Sequence, residues 1–313
     1  MTFSPLTAVA ELIHLAAGDY HVSISPVGAS LATLTHRGRE LVLPGEGDPP
    51  RPLFRGAVLA PWPNRIADGR YTFRGRRYQV PVNELDRQCA LHGLVAWTGW
   101  TPVSAESDRL SLMTTIHPQP GYPHRVQVHT EYVLDGDRGL TIVVTGRNLS
   151  QATAPWGVSI HPYIVAGPGP VDDWTLHLDA AEVLEVEPER LLPRGRRPVD
   201  GTGFDFRQPR RIGAAAIDHA FTGIGFDGSG FAVATLTSGD RSGGTGGVRM
   251  TWDTRCRWVQ VHTTDLPGDP HHRSGLALEP MTCPPDAFNS GDGLIALPPG
   301  RQDTTTWRIE ALT

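Results

Sequence analysis

Five short segments of the chain place ionisable side chains beside proline, glycine or aromatic residues. They are residues 61–66 with Asn64 and Arg65, residues 91–94 with His92, residues 156–163 with His161, residues 217–221 with Asp218, and residues 278–282 with Glu279. Carboxylate and imidazole groups can transfer protons, whereas guanidinium and amide groups present planar sets of hydrogen-bonding atoms. Aromatic neighbours offer an apolar face. Such groups suit a sugar site, because vicinal hydroxyls need planar polar partners and the ring has an apolar side.

Each of these residues also has a structural explanation when it is considered alone. Arg65 could form a surface ion pair, His92 could be a turn histidine bonded to backbone, and His161 could be a core histidine. Asp218 could cap a short helical turn, and Glu279 could end an apolar strand and reach solvent. Only their joint occurrence favours a functional site.

The elements that would position these residues are mostly short strands. Apolar residues alternate in residues 125–132, and Asp135-Gly136 separates them from residues 139–145, which predicts a hairpin. A second hairpin is predicted to pair residues 69–73 with residues 77–80. Further strands are predicted at residues 20–25, 30–36, 40–43, 110–116, 174–178, 231–236, 248–252, 258–263 and 305–311. Helical periodicity is almost absent, apart from one turn predicted at residues 214–218.

This pattern predicts an all-β fold, a large antiparallel β-sandwich or barrel. No linker rich in serine, proline or charge divides the chain, and no internal repeat is found. The Gly/Ser-rich residues 239–247 lie between two predicted strands and are typical of a loop. Residues 1–313 are therefore expected to form a single domain.

Composition narrows the classes of partner. The 313 residues are 39% hydrophobic and 19% charged, with a net charge of −5, which favours a small neutral ligand over nucleic acid or an anionic membrane. No apolar run has the length of a membrane span, and the N-terminus lacks the basic region of a signal peptide.

Cys89, Cys256 and Cys283 show no paired spacing, so a reducing compartment, the cytoplasm, is expected. An edge strand could pair with a second copy, so a homodimer stays open.

The five segments, in this order, resemble the aldose 1-epimerase (galactose mutarotase) family. The resemblance extends from about Gly56 to the C-terminus and includes the run at residues 284–289 and the Leu-Pro-Pro-Gly at residues 297–300. It implies a galactose mutarotase-like supersandwich whose open groove binds one monosaccharide. The expected reaction is the exchange of α and β anomers of a free hexose by opening and closing of the ring. Nothing is oxidised and no group leaves, so no cofactor or metal is required.

The resemblance also implies a role for each candidate residue. Glu279 matches the family's general base, His161 its general acid, and His92 its second active-site histidine. The groups that match the family's substrate contacts are Arg65, Asp218 and Asn64. Two departures concern the identity of the sugar: Pro162-Tyr163 follows His161, and His262 stands where many relatives have tyrosine.

Three other functions remain alternatives at this stage. An epimerase of a sugar with an anionic C6 group, phosphate or sulfonate, would need a cationic clamp, for which Arg55, Arg65, Arg70 and Arg125 are available. A sugar-binding or sensor module would keep the fold without catalysis, but it would not need both Glu279 and His161. A metal hydrolase could use His271-His272 with Asp265 and Asp269, yet no established ligand spacing is present.

Overall fold

A computed structural model describes residues 11–45, 52–239 and 245–312, and nearly all regular structure in these ranges is β-strand. In chain order the strands are β1 (Ile13–Ala17), β2 (Tyr20–Ser25), β3 (Ser30–His36), β4 (Arg39–Glu40), β5 (Val58–Leu59), β6 (Arg65–Ala67), β7 (Arg70–Phe73), β8 (Arg76–Gln79), β9 (Cys89–Leu91), β10 (Thr101–Ala105), β11 (Arg109–Ile116), β12 (Val126–Asp135), β13 (Gly139–Asn148), β14 (Ala154–Trp156), β15 (Ser159–Ile160), β16 (Tyr163–Ile164), β17 (Trp174–Leu178), β18 (Ala180–Val186), β19 (Pro193–Pro198), β20 (Arg210–Arg211), β21 (Asp218–Ile224), β22 (Phe231–Gly239), β23 (Thr245–Asp253), β24 (Trp258–His262), β25 (Leu276–Met281), β26 (Ile295–Leu297) and β27 (Gln302–Leu312). The described helical segments are 3-10 turns at Pro52–Phe54 and Val171–Asp173 and one turn of α-helix, α1 (Ala287–Ser290). Within the described ranges, no helix has the length and apolar character needed to cross a membrane.

Two large antiparallel sheets dominate the architecture. The nine-stranded sheet has the order β10-β11-β12-β13-β27-β23-β22-β17-β20, and the six-stranded sheet has the order β16-β25-β24-β21-β18-β19. Strands β1 to β4 form a smaller sheet, and the remaining strands form two-stranded ribbons. One apolar cluster joins side chains from both large sheets, such as Val128 of β12 and Leu278 of β25. The predicted all-β antiparallel fold is confirmed.

The two predicted hairpins are present, and the first is longer than predicted. Strands β12 and β13 pair from Val126 opposite Asn148 to Asp135 opposite Gly139. Burial alternates along both strands, since one face packs on the core and the other faces solvent. Strands β7 and β8 pair around the turn at Arg74 and Gly75.

Three local expectations from sequence need correction or restriction. The helical turn at residues 214–218 is wrong: Ile217 donates its N–H to the Thr263 hydroxyl and accepts the Thr263 N–H, so tertiary bonds hold this segment extended and Asp218 begins β21. Glu279 does not end its strand, because β25 continues to Met281. Of the predicted loop at residues 239–247, residues 240–244 lie outside the described residues, and residues 239 and 245–247 belong to strands.

The six-stranded sheet brings distant parts of the chain together on one face. Glu279 of β25 lies opposite Gln260 of β24, and His262 of β24 lies opposite Asp218 of β21. Residues two apart on a strand share a face, so Gln260 and His262 point the same way. These four side chains therefore form a polar surface on a sheet whose other face packs on the apolar core.

Candidate active site

A groove of about 320 Å³ lies over this polar surface. Its volume is at the small end of the range of about 300–1,000 Å³ that is usual for ligand sites, a size that suits one sugar ring. All six residues singled out from sequence line it: Asn64, Arg65, His92, His161, Asp218 and Glu279. Apolar and aromatic walls come from Leu53, Phe54, Leu91 and Leu266, and the other polar groups are Glu84, Arg87, Tyr163, Gln260, His262 and Asp265.

The centre of the groove is a contact between Glu279 and His161. The Oε1 atom of Glu279 lies 3.4 Å from Nε2 of His161, and both side chains are buried. Within the described part of the chain, Oε2 of Glu279 and Nδ1 of His161 have no hydrogen-bond partner. Buried polar atoms without partners are costly, so these two atoms are available to a polar ligand.

Burial shifts the pKa of both groups in the direction that favours the neutral form of each. Burial raises the pKa of Glu279 well above its usual range, and the negative charge of Asp218 acts in the same direction, while Arg65 opposes it. Burial lowers the pKa of His161 to about 3, with the charge of His262 as a smaller contribution. The pair as a whole therefore holds one exchangeable proton near neutral pH.

The backbone fixes the orientation of His92. The Asn64 N–H donates to Nδ1 of His92 at 3.2 Å, which leaves the proton of the neutral ring on Nε2. Burial lowers the pKa of His92 well below its usual value, and repulsion from His161 and Arg65 adds to this shift. The rings of His92 and His161 meet edge to face with centroids 5.0 Å apart. His92 is therefore a neutral hydrogen-bond donor beside the proton-carrying pair.

The turn that carries His92 requires glycine at position 93. Gly93 has a φ of 76°, and a Cβ atom there would lie 2.1 Å from the Ala60 carbonyl oxygen. That carbonyl accepts the Leu94 N–H at 2.7 Å. The close approach locks residues 92–94 against the segment before Asn64 and places His92 next to Arg65, which pairs with Leu91 across β6 and β9.

Two acidic groups bind neighbouring polar side chains in the groove. Glu84 accepts hydrogen bonds from Arg65, Nε to Oε2 at 2.8 Å and Nη2 to Oε1 at 2.9 Å. Asp218 accepts a 2.6 Å hydrogen bond from Nε2 of Gln260, whose buried Oε1 has no partner among the described residues. The arrangement leaves carboxylate, amide and guanidinium atoms aimed at the groove in fixed directions.

Sequence reasoning missed several of the lining residues. Gln260 is a buried amide between Val259 and Val261, a pattern that could have marked it, because buried polar groups in strands are usually held by specific hydrogen bonds. Tyr163 stacks on His161, with centroids 5.2 Å apart and ring planes 6° from parallel. Glu84 lies in an irregular loop before β9, and nothing in its sequence neighbourhood distinguishes it.

The arginines considered for an anion clamp do not surround the groove. Of the four, only Arg65 lines it. Arg70 lines a separate surface cavity on the β7–β8 hairpin, Arg125 is exposed, and Arg55 is buried with a hydrogen bond to the Pro44 carbonyl. Arg87 is a cation of the groove that sequence reasoning did not consider.

Ion pairs and hydrogen bonds hold the loop at residues 265–273, which contains the histidines and aspartates considered as metal ligands. Arg273 is buried and pairs with Asp265 at 2.5 Å and with Asp172 at 2.7 Å. His272 accepts the Leu266 N–H at Nδ1. In the described ranges, no group of three or more His, Cys, Asp or Glu side chains could hold a metal ion.

The groove combines a buried carboxyl–imidazole pair with a fixed arginine and the ring of Phe54. Such a set of groups is typical of an enzyme that binds a carbohydrate. A family model for aldose 1-epimerase matches residues 11–310. The chain is 36% identical over 291 residues to the uncharacterized protein YihR of Escherichia coli K12. The alignment covers 93% of this chain and 90% of that protein. It is 30% identical over 283 residues to the galactose mutarotase of Bos taurus, covering 82% and 78% of the two chains.

Solved structures share the fold. A putative aldose 1-epimerase from Escherichia coli K12 has a TM-score of 0.80 at 24% identity, covering 96% of this chain and 99% of that chain. The galactose 1-epimerase from Lactobacillus acidophilus NCFM has a TM-score of 0.78 at 21% identity, covering 100% and 98%. The chain belongs to the aldose 1-epimerase family, and it is an isomerase that acts on carbohydrates.

Proposed function

We propose that the protein interconverts the α and β anomers of a free hexose by general acid/base opening and closing of the ring. The observation that carries this proposal is the 3.4 Å contact between Glu279 and His161 at the centre of the groove. Anomer exchange moves one proton off the C1 hydroxyl and one proton onto the ring oxygen. Both oxygens are bonded to C1, so two proton carriers that lie this close together can serve them at once.

The proton count of the pair fits the reaction. Ring opening needs one group that carries a proton and one that does not, which is the state of a pair with a single exchangeable proton. We assign the base to Glu279 and the acid to His161, the state of the pair in which its proton lies on His161; Arg65 stabilises the Glu279 carboxylate in that state, against the effect of burial and of Asp218. After ring opening the proton has changed sides, and the two groups close the ring from the other face of C1 in exchanged roles. Each proton transfer typically contributes about 10²–10⁴-fold to the rate.

The remaining polar groups would hold the sugar during rotation about C1–C2. His92 donates from Nε2, and Arg65, Asn64 and Asp218 bind ring hydroxyls. Gln260 adds a free amide oxygen next to Asp218. The family's activity is named for galactose in the Bos taurus relative, and we extend to this chain only the class of free hexoses.

We further propose that the chain acts as one domain. The apolar cluster contains residues from Leu15 near the start of the described chain to Ile309 near its end. The groove itself takes residues from positions 53 to 279. No segment of the chain could therefore form the site alone.

A second candidate function is the same reaction on a sugar with an anionic C6 group. The observation that favours it is Arg87, which lines the groove and contacts Glu84 only at 3.5 Å, while Arg65 already occupies both oxygens of that carboxylate. Arg87 therefore retains positive charge that an anionic substituent could bind.

Polarimetry of freshly dissolved α-D-glucose and α-D-galactose tests the proposal. We expect the wild type to hasten the approach to the same final rotation, and Glu279→Gln to lose this acceleration. Glu182→Gln, at a half-buried carboxylate outside the groove that pairs with Arg196, is the matched control and should behave as wild type. Acceleration with a C6-anionic hexose but with neither neutral sugar would favour the second candidate. Normal rates in folded Glu279→Gln would overturn the assignment of the base.

A further inference from the structure

Trp97 exposes its indole beside the groove, unlike the other tryptophans. The protein has eight tryptophans. Trp97 is 42% exposed, whereas each of the others is exposed by 3% or less. Exposure of a single apolar side chain is common, so the position of Trp97 beside the groove carries the argument, because an indole offers a large apolar face to a ligand.

A series of aromatic rings connects this indole to the proton-carrying pair. The rings of His161 and His92 have centroids 5.0 Å apart, and those of His92 and Phe54 are 4.7 Å apart. Phe54 then lies 5.1 Å from Trp97. Phe54 lines the groove, whereas Trp97 does not, so Trp97 lies one ring beyond the space that a monosaccharide occupies.

Hydrogen bonds and buried neighbours hold the turn that carries Trp97. The Val95 carbonyl accepts hydrogen bonds from the Thr98 hydroxyl at 3.0 Å and from the Trp100 indole at 3.3 Å. The Thr98 carbonyl accepts the Gly28 N–H at 2.9 Å, and Val95, Ala96 and Trp100 are all buried. The backbone that carries Trp97 is therefore fixed, and a ligand would not have to order this turn.

We propose that Phe54 and Trp97 form an outer subsite that stacks against the second sugar ring of a reducing oligosaccharide whose terminal ring occupies the groove. This inference rests on the proposed function, because a reducing end is the only part of an oligosaccharide whose anomers interchange. A pyranose ring presents C–H groups on one face, which pack on an aromatic ring, while its hydroxyl edge remains in water. Trp97 is partly exposed and lies 5.1 Å from Phe54, so its ring can supply the apolar partner while the hydroxyl edge of the sugar stays in water.

Fluorescence quenching tests the subsite without any turnover. Because Trp97 is the exposed tryptophan, acrylamide should quench one accessible component of the emission, and Trp97→Phe should remove that component. We expect maltose or cellobiose, at concentrations that saturate binding by calorimetry, to protect the accessible component, and glucose at saturation to leave it quenched. Equal quenching in the presence of saturating disaccharide would overturn the proposal.

Kinetics provides the second arm. We expect Trp97→Ala to lower the ratio of kcat/KM for maltose to kcat/KM for glucose by about three- to tenfold, the size of one aromatic stacking contact. Trp97→Phe should lower this ratio less than Trp97→Ala does, because phenylalanine keeps an aromatic ring. Leu149→Ala removes another exposed apolar side chain, outside the groove, and should leave the ratio unchanged.

The two proposals fail in different ways. If the wild type accelerates anomer exchange of no sugar, the proposed function is wrong, while disaccharide protection of Trp97 would still reveal a sugar-binding subsite. If glucose exchange is accelerated but the ratio is the same in wild type and Trp97→Ala, the outer subsite is wrong and the proposed function stands.

Discussion

Glu84 binds Arg65 with both of its carboxylate oxygens, at 2.8 and 2.9 Å from the guanidinium nitrogens. The two side chains are only 14% and 8% exposed, so the pair is largely removed from water. This contact leaves Nη1 of Arg65 beside the Asn64 amide oxygen, at 3.4 Å. The loop that carries Glu84 is itself fastened by Arg190, which donates to the carbonyls of Arg87 and Gln88. The direction of Arg65 in the groove thus depends on a loop 19 residues further along the chain.

Glu84→Gln should loosen this orientation without touching the proton carriers. An amide has only one oxygen and cannot accept both hydrogen bonds in parallel, so the guanidinium of Arg65 is no longer held in one orientation. We expect KM for the hexose to rise about five- to tenfold and kcat to change by less than about twofold, since substrate contacts weaken while Glu279 and His161 stay in place. Steady-state polarimetry over a range of sugar concentrations measures both values.

Two further variants make that result specific. Glu84→Asp keeps the charge and should recover part of the affinity. Asp19→Asn breaks the exposed pair with Arg37 and should change neither constant. An equal loss of kcat in Glu84→Gln would contradict a purely positioning role.

Glu279→Gln should lose activity by at least about 10²-fold and yet stabilise the fold. Because burial raises the pKa of Glu279 above its unfolded value, the folded state binds the proton more tightly. The stability from this group is complete below the unfolded pKa of about 4.5 and is lost as pH rises toward the folded pKa. Glutamine is neutral throughout, so its advantage over wild type should grow from pH 5 to pH 8.

Urea unfolding of both proteins at these two pH values measures the difference. A variant less stable than wild type at pH 8, or an advantage that shrinks as pH rises, would contradict this account of Glu279.

His161→Asn should reduce the acid sensitivity of the fold. The pKa of His161 is lowered by burial to about 3, from 6.5 in an unfolded chain. Between these values the unfolded state binds more protons, so the stability contributed above pH 6.5 is lost as pH falls toward 3. Asparagine does not titrate, and we expect the free energy of unfolding to fall less between pH 7 and pH 4.5 in the variant.

The same measurement on His14→Asn supplies the control, because His14 is exposed at the surface. Equal pH slopes for wild type and His161→Asn would mean that His161 is protonated in the folded protein.

Gly93→Ala should damage the site through the backbone. The added Cβ would meet the Ala60 carbonyl oxygen at 2.1 Å in a left-handed conformation, so either the turn or the segment before Asn64 must move. We expect a loss of about 1–3 kcal/mol in stability and a large fall in activity. Gly75→Ala is matched in φ, at 77°, but has no atom within 4 Å, and it should cost about 1 kcal/mol with normal activity. Thermal unfolding and polarimetry of the two variants separate conformational strain from steric collision.

Sequence patterns anticipated the strands best where one face is buried and the other is solvated. The hairpin β12–β13 shows this, since its alternating apolar residues match its alternating burial. The pattern failed at residues 214–218, where short-range preference favoured a helical turn. There the hydrogen bonds between Ile217 and Thr263, 46 residues apart, override local preference.

By itself, the sequence determined the all-β class and the residue types able to bind a sugar and move protons, because alternation and side-chain chemistry are local properties. Only the tertiary structure decided that Glu279 and His161, 118 positions apart, lie within 3.4 Å, and that Glu84 and Gln260 belong to the same groove. Strand register and loop closure bring these groups together, and burial then sets their acidity. Neither effect can be read from neighbouring residues, since both arise from contacts between segments far apart in the chain.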